Sequence, residues 1–265
     1  MKKCAVINDL SGFGKCSLTA SIPILSAMGC EVHPLVTAVF SNQTAYESFK
    51  SVSLTDTMTG FIDEWKKLNA SFDAILTGFV TDERQLDIIS NFIDDFKNEN
   101  TLVVVDPVMA DNGALYDGYT NELCDKVRSL CHKADIITPN VTELSIIAQQ
   151  KPCETLDDVI SCANVLASSG IKKMVVTGFE RDGLIINTVL ENGTVNTVSV
   201  EQTGGYYSGT GDVFASVVTG AVLRGKSLYD ATRLACDFIK RSIEATDVAD
   251  HNDGICFEKF LGELI

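Results

Sequence analysis

The run Leu102-Val103-Val104-Val105 holds four consecutive apolar residues, three of them β-branched, and it stops at Asp106-Pro107. Such a run without polar alternation is typical of a strand that is buried on both faces of a sheet. Similar short apolar runs, each ending in polar or small residues, lie at 4–7, 74–76, 136–137 and 174–176. Amphipathic stretches with helical spacing separate them, for example at 18–25 and 86–96. This alternation predicts an α/β fold with a mostly parallel central sheet and helices on both of its faces.

The pattern changes near residue 183. Residues 184–189, an Asn192-Gly193 turn and residues 194–200 predict an antiparallel hairpin late in the chain. Helical stretches at about 212–224 and 228–245 follow it. No internal repeat, low-complexity segment or linker interrupts this order. We therefore expect a single domain over residues 1–265, built as a three-layer α/β/α sandwich.

Composition limits the classes of partner. The 265 residues include 36 acidic and 21 basic side chains, a net charge of −15, which repels nucleic acid and anionic membranes. No apolar run approaches the roughly 20 residues of a membrane-spanning helix, and the run after Met1-Lys2-Lys3 is too short for a signal peptide. The nine cysteines are scattered without a CxxC pair, which argues against a disulfide framework or a zinc site. We expect a cytoplasmic protein with a small-molecule partner.

Polar residues follow several of the predicted parallel strands, where ligands bind in open α/β sheets. They are Asn8-Asp9, Thr77, Asp106, Thr138 to Asn140 and Thr177. Polar strand ends also serve as turn formers and helix caps, so each position alone is weak evidence. Asp106 and Glu143 are carboxylates at positions where a helix cap does not require them, and this favours a ligand site.

The turn after the first strand, residues 11–17, partly resembles two phosphate-binding motifs but matches neither. A P-loop needs Ser or Thr after its lysine, but Cys16 follows Lys15. The dinucleotide fingerprint needs a third glycine where Ser17 stands. What remains is a turn that opens a helix, with Asp9 in reach of a ligand.

Ser208-Gly209-Thr210-Gly211-Asp212 is the strongest candidate for chemistry, because it opens a helix with an apolar face. Backbone N–H groups at such a turn bind phosphate or a developing negative charge. Asp212 could accept the proton of an attacking hydroxyl, and Mg²⁺ would suit the hard oxygen ligands Asp106 and Glu143. The alternative is that Asp212 is only a capping residue in a first helical turn.

Gly209-Thr210-Gly211-Asp212 resembles the GTGD signature of the ribokinase-like superfamily, and within it the chain resembles the pyridoxal (vitamin B6) kinases. Four further stretches are similar to the family segments FSNHT, LTGY, DPVxGD and IITPNxxE. In the same order they are Phe40-Ser41-Asn42-Gln43-Thr44, Leu76-Thr77-Gly78-Phe79, residues 106–111 and residues 136–143. The matches run in family order over most of the chain.

The resemblance implies a ribokinase-like fold and ATP-dependent phosphorylation of the 5′-hydroxymethyl group of pyridoxal, pyridoxamine or pyridoxine. It implies that Asp212 is the catalytic base and that the amides of Gly209, Thr210 and Gly211 form the anion hole. Asp106 and Glu143 would hold Mg²⁺ largely through water, with room for a monovalent cation. The nucleotide phosphates would be lined by Thr138, Asn140, Thr177, Gly209 and Gly211. The pyridine ring would be surrounded by Asp9, Phe40, Thr44 and Phe79. Family members are commonly homodimers.

Three departures from the family pattern bear on the substrate. Phe79 replaces the usual tyrosine, and Ala110 the glycine before Asp111. The opening turn at 8–14 leans toward that of hydroxymethylpyrimidine kinases, but the cysteine that a pyridoxal-active branch of those relatives carries after DPVM is absent. A hydroxymethylpyrimidine kinase, or another small-alcohol kinase of the superfamily, is therefore the alternative enzyme. A non-catalytic nucleotide or vitamer sensor is the alternative from a different class.

Overall fold

The computed structural model describes residues 1–247 and 251–265. Eleven strands and eight helices follow one another in these residues as β1 (Lys2–Ser11), α1 (Ser17–Ala27), β2 (Cys30–Phe40), β3 (Ser51–Ser53), α2 (Thr55–Lys67), β4 (Ala74–Thr77), α3 (Glu83–Phe96), β5 (Leu102–Val105), β6 (Ala110–Asp111), β7 (Ala114–Leu115), α4 (Asn121–Cys131), β8 (Ile136–Ile137), α5 (Val141–Ile147), α6 (Leu156–Ser168), β9 (Lys173–Arg181), β10 (Leu184–Glu191), β11 (Thr194–Glu201), α7 (Thr210–Leu223) and α8 (Leu228–Glu244). Two 3₁₀ helices, His251–Asp253 and Phe257–Leu264, follow α8.

Nine strands form one sheet in the order β11-β10-β9-β8-β5-β4-β1-β2-β3. The six strands from β9 to β2 pair in parallel. Strand β3 at one edge and the β10–β11 hairpin at the other are antiparallel. The predicted mostly parallel sheet and its late hairpin are confirmed.

Two apolar clusters cover the two faces of this sheet. One packs α2 to α6 against residues such as Ala5 and Ile7 of β1. The other packs α1, α7 and α8 against Cys4 and Val6 of the same strand. Alternate residues of one continuous apolar run thus enter opposite cores, which explains why these strands lack polar alternation. The result is the predicted arrangement of a sheet between two helical layers.

Several elements are longer than the apolar pattern predicts. Strand β1 continues to Ser11, past a register shift between Asn8 and Leu10, because β2 supplies hydrogen bonds along its whole length. The prediction that Asn8-Asp9 ends this strand is therefore wrong: both residues lie within it. Strand β9 similarly continues to Arg181, because β10 pairs with it after its parallel partner has ended.

A short two-stranded flap, β6 and β7, was not predicted. Its turn residues, Asn112 and Gly113, both have positive φ, 50° and 81°. An Asn-Gly pair is the usual sequence for such a tight turn. The turn is therefore recognisable in the sequence, but the two-residue strands on either side of it are too short to be predicted. All nine cysteines are free. Among the described residues, no helix is long and apolar enough to span a bilayer.

Candidate active site

A cavity of about 440 Å³ opens at the carboxyl edge of the parallel strands, bounded by the flap, the β10–β11 hairpin and the first turn of α7. It brings together all the residues predicted for catalysis, phosphate binding and metal binding: Asp106, Thr138, Asn140, Glu143, Thr177, Gly209, Thr210, Gly211 and Asp212. The residues predicted around the pyridine ring, Asp9, Phe40, Thr44 and Phe79, do not line it.

The first turn of α7 is built on a glycine in a left-handed conformation. Gly209 is the N-cap, with φ of +82°, and no side chain caps the helix. A Cβ at this position would lie 2.1 Å from the carbonyl oxygen of Lys15 and 3.0 Å from Cα of Cys16. The turn therefore rests directly on the backbone before α1. Because Gly209 has no side chain to cap α7, its N-terminal amides are available, among the residues that the structure describes, to an anion at the positive end of the helix dipole.

Asp212 lies in this first turn and is held by the opposite end of the chain. The side-chain amide of Asn8 donates to its Oδ1 at 2.9 Å, and the backbone N–H of Ser17 donates to the same carboxylate. Burial, with a smaller contribution from the charge of Asp9, raises the pKa of Asp212 to about 6, although both hydrogen bonds lower it. A carboxylate with this pKa can accept a proton near neutral pH.

Asp106 faces the start of α7 from the end of β5. Its Oδ1 accepts a hydrogen bond from Oγ1 of Thr138 at 2.8 Å. Its Oδ2 lies 3.9 Å from the position of a Cβ on Gly211. Burial, followed by the nearby charge of Asp212, raises the pKa of Asp106 to about 7. The two carboxylates destabilise each other's charge, and a bound cation would relieve that repulsion.

Glu143 has a structural role that the sequence analysis did not predict. It is buried and forms a capping box with Asn140 at the start of α5, with its Oε2 accepting from the backbone N–H of Asn140 at 2.9 Å. Its Oε1 accepts from the backbone N–H of Met109 at 3.0 Å. The expectation that no cap requires this carboxylate is wrong, since Asn-x-x-Glu before an apolar run is a capping-box pattern.

Asn140 and Thr177 join neighbouring elements at the cavity wall. The Asn140 side chain accepts from the backbone N–H of Glu143 at 2.9 Å and donates to the carbonyl of Ala110 at 2.7 Å, so it ties α5 to the flap. Thr177 forms an isolated bridge with Asn140 and donates its N–H to the carbonyl of Pro139 at 2.9 Å.

The four residues predicted to surround the pyridine ring lie in different environments. The rings of Phe40 and Phe79 lie 6.0 Å apart, and Phe49 lies 5.6 Å from Phe40. Asp9 is buried, and its two oxygens accept from the hydroxyls of Ser17 and Ser11. Thr44 is exposed on the loop after β2.

Sequence reasoning missed two parts of this region. Asn8 contacts Asp212 across 204 residues of chain, a distance over which local patterns carry no signal. The hairpin and α8 also add an apolar wall to the cavity, formed by Ile185, Val200, Ile239 and Ile243. Tyr206 closes the opposite side, where its hydroxyl hydrogen bonds with Asp111 and Tyr116.

The sequence profile of the phosphomethylpyrimidine kinase family matches residues 16–255. A Bacteroides thetaiotaomicron protein named as a phosphomethylpyrimidine kinase, crystallised with pyridoxal, is 40% identical, with a TM-score of 0.94 over 99% of this chain and 95% of that one. Pyridoxal kinase from Lactobacillus plantarum is 27% identical, with a TM-score of 0.92 over 100% and 96% of the two chains. Pyridoxal kinase from Dictyostelium discoideum is 28% identical over 79% of this chain and 73% of its own length. The chain belongs to the phosphomethylpyrimidine kinase family, within the ribokinase-like fold.

Proposed function

We infer that this protein is an ATP-dependent kinase that phosphorylates the 5′-hydroxymethyl group of a B6 vitamer. The observation that carries the inference is the similarity, over almost the whole chain, to a 40% identical relative crystallised with pyridoxal. Two pyridoxal kinases that are 27% and 28% identical support the same activity. The cavity agrees with it, because it combines an apolar wall for a base with an anion-binding turn and a buried carboxylate.

In this proposal ATP occupies the cavity with its phosphates at the first turn of α7. The amides of Gly209, Thr210 and Gly211 hold the negative charge of the γ-phosphate and of the transition state. The base and ribose lie toward the β10–β11 hairpin and α8, where Ile185 and Ile243 provide apolar contact. Thr138, Asn140 and Thr177 line the phosphate path from the ends of β8 and β9.

Asp212 is the proposed general base. It accepts the proton of the substrate hydroxyl while that oxygen bonds to the γ-phosphorus and the bond to the β–γ bridging oxygen breaks, which releases ADP. Catalysis of phosphoryl transfer depends mainly on positioning and on charge stabilisation. We propose that the vitamer ring lies next to Phe40 and Phe79, whose ring centroids are 6.0 Å apart. Asp9 and Thr44 are the further vitamer residues that the family resemblance implies.

Mg²⁺ fits Asp106 better than it fits Glu143. Asp106 uses only Oδ1 in a side-chain hydrogen bond, to Thr138, whereas both oxygens of Glu143 accept backbone N–H groups. No group of three or more potential ligands occurs within residues 1–247 and 251–265. Mg²⁺ in phosphoryl-transfer sites is usually held by one or two carboxylates together with substrate phosphates and water. When bound, Mg²⁺ neutralises phosphate charge. We propose that Asp106 holds it and that Glu143 keeps the segment behind Asp106 in place.

The activity is tested by ADP release from Mg·ATP with pyridoxal, pyridoxamine, pyridoxine and hydroxymethylpyrimidine in parallel, with and without Mg²⁺. Turnover with a B6 vitamer that requires Mg²⁺ is the expected result. Turnover with the pyrimidine alone would replace the proposal by the hydroxymethylpyrimidine kinase that the family name and the opening turn suggest. ATP binding without turnover of any of the four would favour a sensor.

The pH dependence follows from the pKa of Asp212, about 6. The base acts as the carboxylate, and so kcat/KM, which reports the pKa of the free enzyme, should fall about tenfold per pH unit below this value and level off above it. Rates at vitamer concentrations well below KM between pH 5 and 8, with far-UV circular dichroism to verify folding, check this. A flat profile through pH 5 in the folded protein would remove Asp212 from the proton transfer.

We also propose that the protein is a homodimer. Leu10, Val39 and Val52 are directly paired across β1, β2 and β3 and are 36%, 41% and 62% exposed, a row of apolar side chains next to the sheet edge. Val52→Glu should shift the sedimentation coefficient to that of a monomer. Val165→Glu, at an exposed valine on α6, is the matched control and should leave the dimer intact. A wild-type monomer at micromolar concentration would contradict the proposal.

A cytoplasmic location is the corresponding proposal for the cell. All nine cysteines are free. Free thiols in this number are typical of a reducing compartment.

A further inference from the structure

We infer that Asn8 is a positioning residue whose side-chain amide holds the carboxylate of Asp212 in place for proton transfer. This inference rests on the proposed function, because Asn8 affects catalysis only through Asp212, the proposed base. Asn8 lies near the end of β1, shortly before the turn at residues 11–17 that matches neither phosphate-binding motif.

The amide of Asn8 has one possible orientation. Its Oδ1 accepts from the backbone N–H of Phe79 at 2.8 Å and from that of Asp9 at 3.0 Å. Since two N–H donors occupy the oxygen, the NH₂ group must point the other way, and it donates to Oδ1 of Asp212 at 2.9 Å. The side chain is buried, so no rotation into solvent competes with this arrangement.

The neighbouring strand is shaped around this amide. A Cβ on Gly78, which follows β4, would lie 2.4 to 2.8 Å from Nδ2, Cγ and Oδ1 of Asn8. Any side chain at position 78 would therefore displace the amide from Asp212. Asn8 therefore connects three elements, β1, the turn after β4 and α7. Its side chain is hydrogen-bonded both to Phe79, a proposed vitamer residue, and to Asp212, the proposed base.

The charges around Asp212 explain why a neutral donor is useful here. The titratable groups that face it are Asp9 from β1, Asp106 after β5 and the thiol of Cys16 before α1. None of the three carries a positive charge: the two carboxylates repel the charged form of Asp212, and burial keeps the Cys16 thiol neutral by raising its pKa to about 12. A lysine or arginine would restrain Asp212 but would also lower its basicity strongly. An amide restrains it with a smaller loss of basicity, which suits a group that must accept a proton.

Two substitutions separate this role from a purely structural one. Asn8→Asp keeps an oxygen acceptor for the N–H groups of Phe79 and Asp9 but replaces the donor that faces Asp212. Asn8→Ala removes both the donor and the acceptor. We expect kcat to fall about 100-fold in both variants, the size of effect that a small misplacement of a catalytic group produces. The KM for ATP should stay within about threefold of the wild-type value, since the α7 amides that bind the phosphates are unchanged.

Three results would overturn the inference. The first is a kcat for Asn8→Asp close to that of the wild type while Asn8→Ala is impaired, which would make Asn8 a support for the turn at Phe79 alone. The second is a wild-type kcat in Asn8→Ala. The third is a KM for ATP that rises as much as kcat falls. Gln85→Glu is the matched control, because Gln85 is another buried amide that accepts from Thr81 N–H at 2.9 Å and donates to the Thr37 carbonyl at 2.8 Å. It should lower the melting temperature without a comparable loss of kcat.

The Asp212→Asn background distinguishes failure of this inference from failure of the proposed function. If Asn8 acts through Asp212, adding Asn8→Asp to Asp212→Asn should change the residual rate by less than about threefold, because coupled residues are not additive. A further 100-fold loss would show an independent role for Asn8. Full turnover by Asp212→Asn alone would refute the proposed base, whatever Asn8 does.

Discussion

Replacing Asp212 by Asn should lower kcat by about 10²–10⁴-fold, the contribution that a positioned general base makes. Asn has the same size and keeps one side-chain oxygen, which can accept the hydrogen bond from Asn8. It cannot take the proton of the substrate hydroxyl. The affinity for ADP should change little, since the amides of the α7 turn bind the phosphates.

Steady-state kinetics and titration calorimetry with ADP measure these two effects. The control is Asp230→Asn, because Asp230 occupies the first turn of α8 and its N–H is capped by Ser227 at 3.1 Å. This variant should lose a few tenths of a kcal/mol to about 1 kcal/mol of stability and keep its kcat. Equal loss of turnover and of ADP binding in Asp212→Asn would mean that Asp212 is a structural cap.

Gly209→Ala is the substitution with the second large effect. Its Cβ would lie 2.1 Å from a backbone carbonyl, at a residue with φ of +82°. The conformation costs about 1–2 kcal/mol for a residue with a Cβ, and the clash adds about 1–3 kcal/mol. The first turn of α7 must then move away from Lys15, and the anion-binding amides and Asp212 move with it. We expect a loss of about 2–5 kcal/mol in the free energy of unfolding, together with loss of measurable turnover.

Urea unfolding and ADP titration of Gly209→Ala and Gly211→Ala test this account. The nearest atom to a Cβ on Gly211 is Oδ2 of Asp106 at 3.9 Å, an ordinary contact. Alanine in this helical position should leave stability unchanged or raise it by up to about 1 kcal/mol. Equal stability of the two variants would show that the turn does not depend on its contact with Lys15.

The layers of the fold could be predicted because each depends on local sequence. Doubly buried strands require continuous apolar runs, and the run at 102–105 becomes β5 with both faces covered. The late hairpin follows from Asn192-Gly193, whose turn type needs these residues. The extension of β1 to Ser11 could not be predicted, because hydrogen bonds from β2, and not side-chain polarity, determine where that strand ends.

The candidate site could be predicted in part for the same reason. Strand ends and a glycine-rich turn are local features, and the fold brings Asp106, Thr138 and Asp212 to one cavity. Contacts between distant segments leave no such trace. Asn8 has no pattern that marks it as a partner of Asp212, and only its hydrogen bonds to Phe79 and Asp9 reveal which way its amide points.

Phosphorus NMR of the products formed from Mg·ATP and pyridoxal tests the central claim most directly. We expect equal amounts of ADP and of a phosphate monoester on the 5′-hydroxymethyl group, both formed at least about 100-fold more slowly by Asp212→Asn under the same conditions. ADP accompanied only by inorganic phosphate would contradict it, because the vitamer would then not be the acceptor. A monoester formed at the wild-type rate by Asp212→Asn would also contradict it, because the transfer would then proceed without the proposed base.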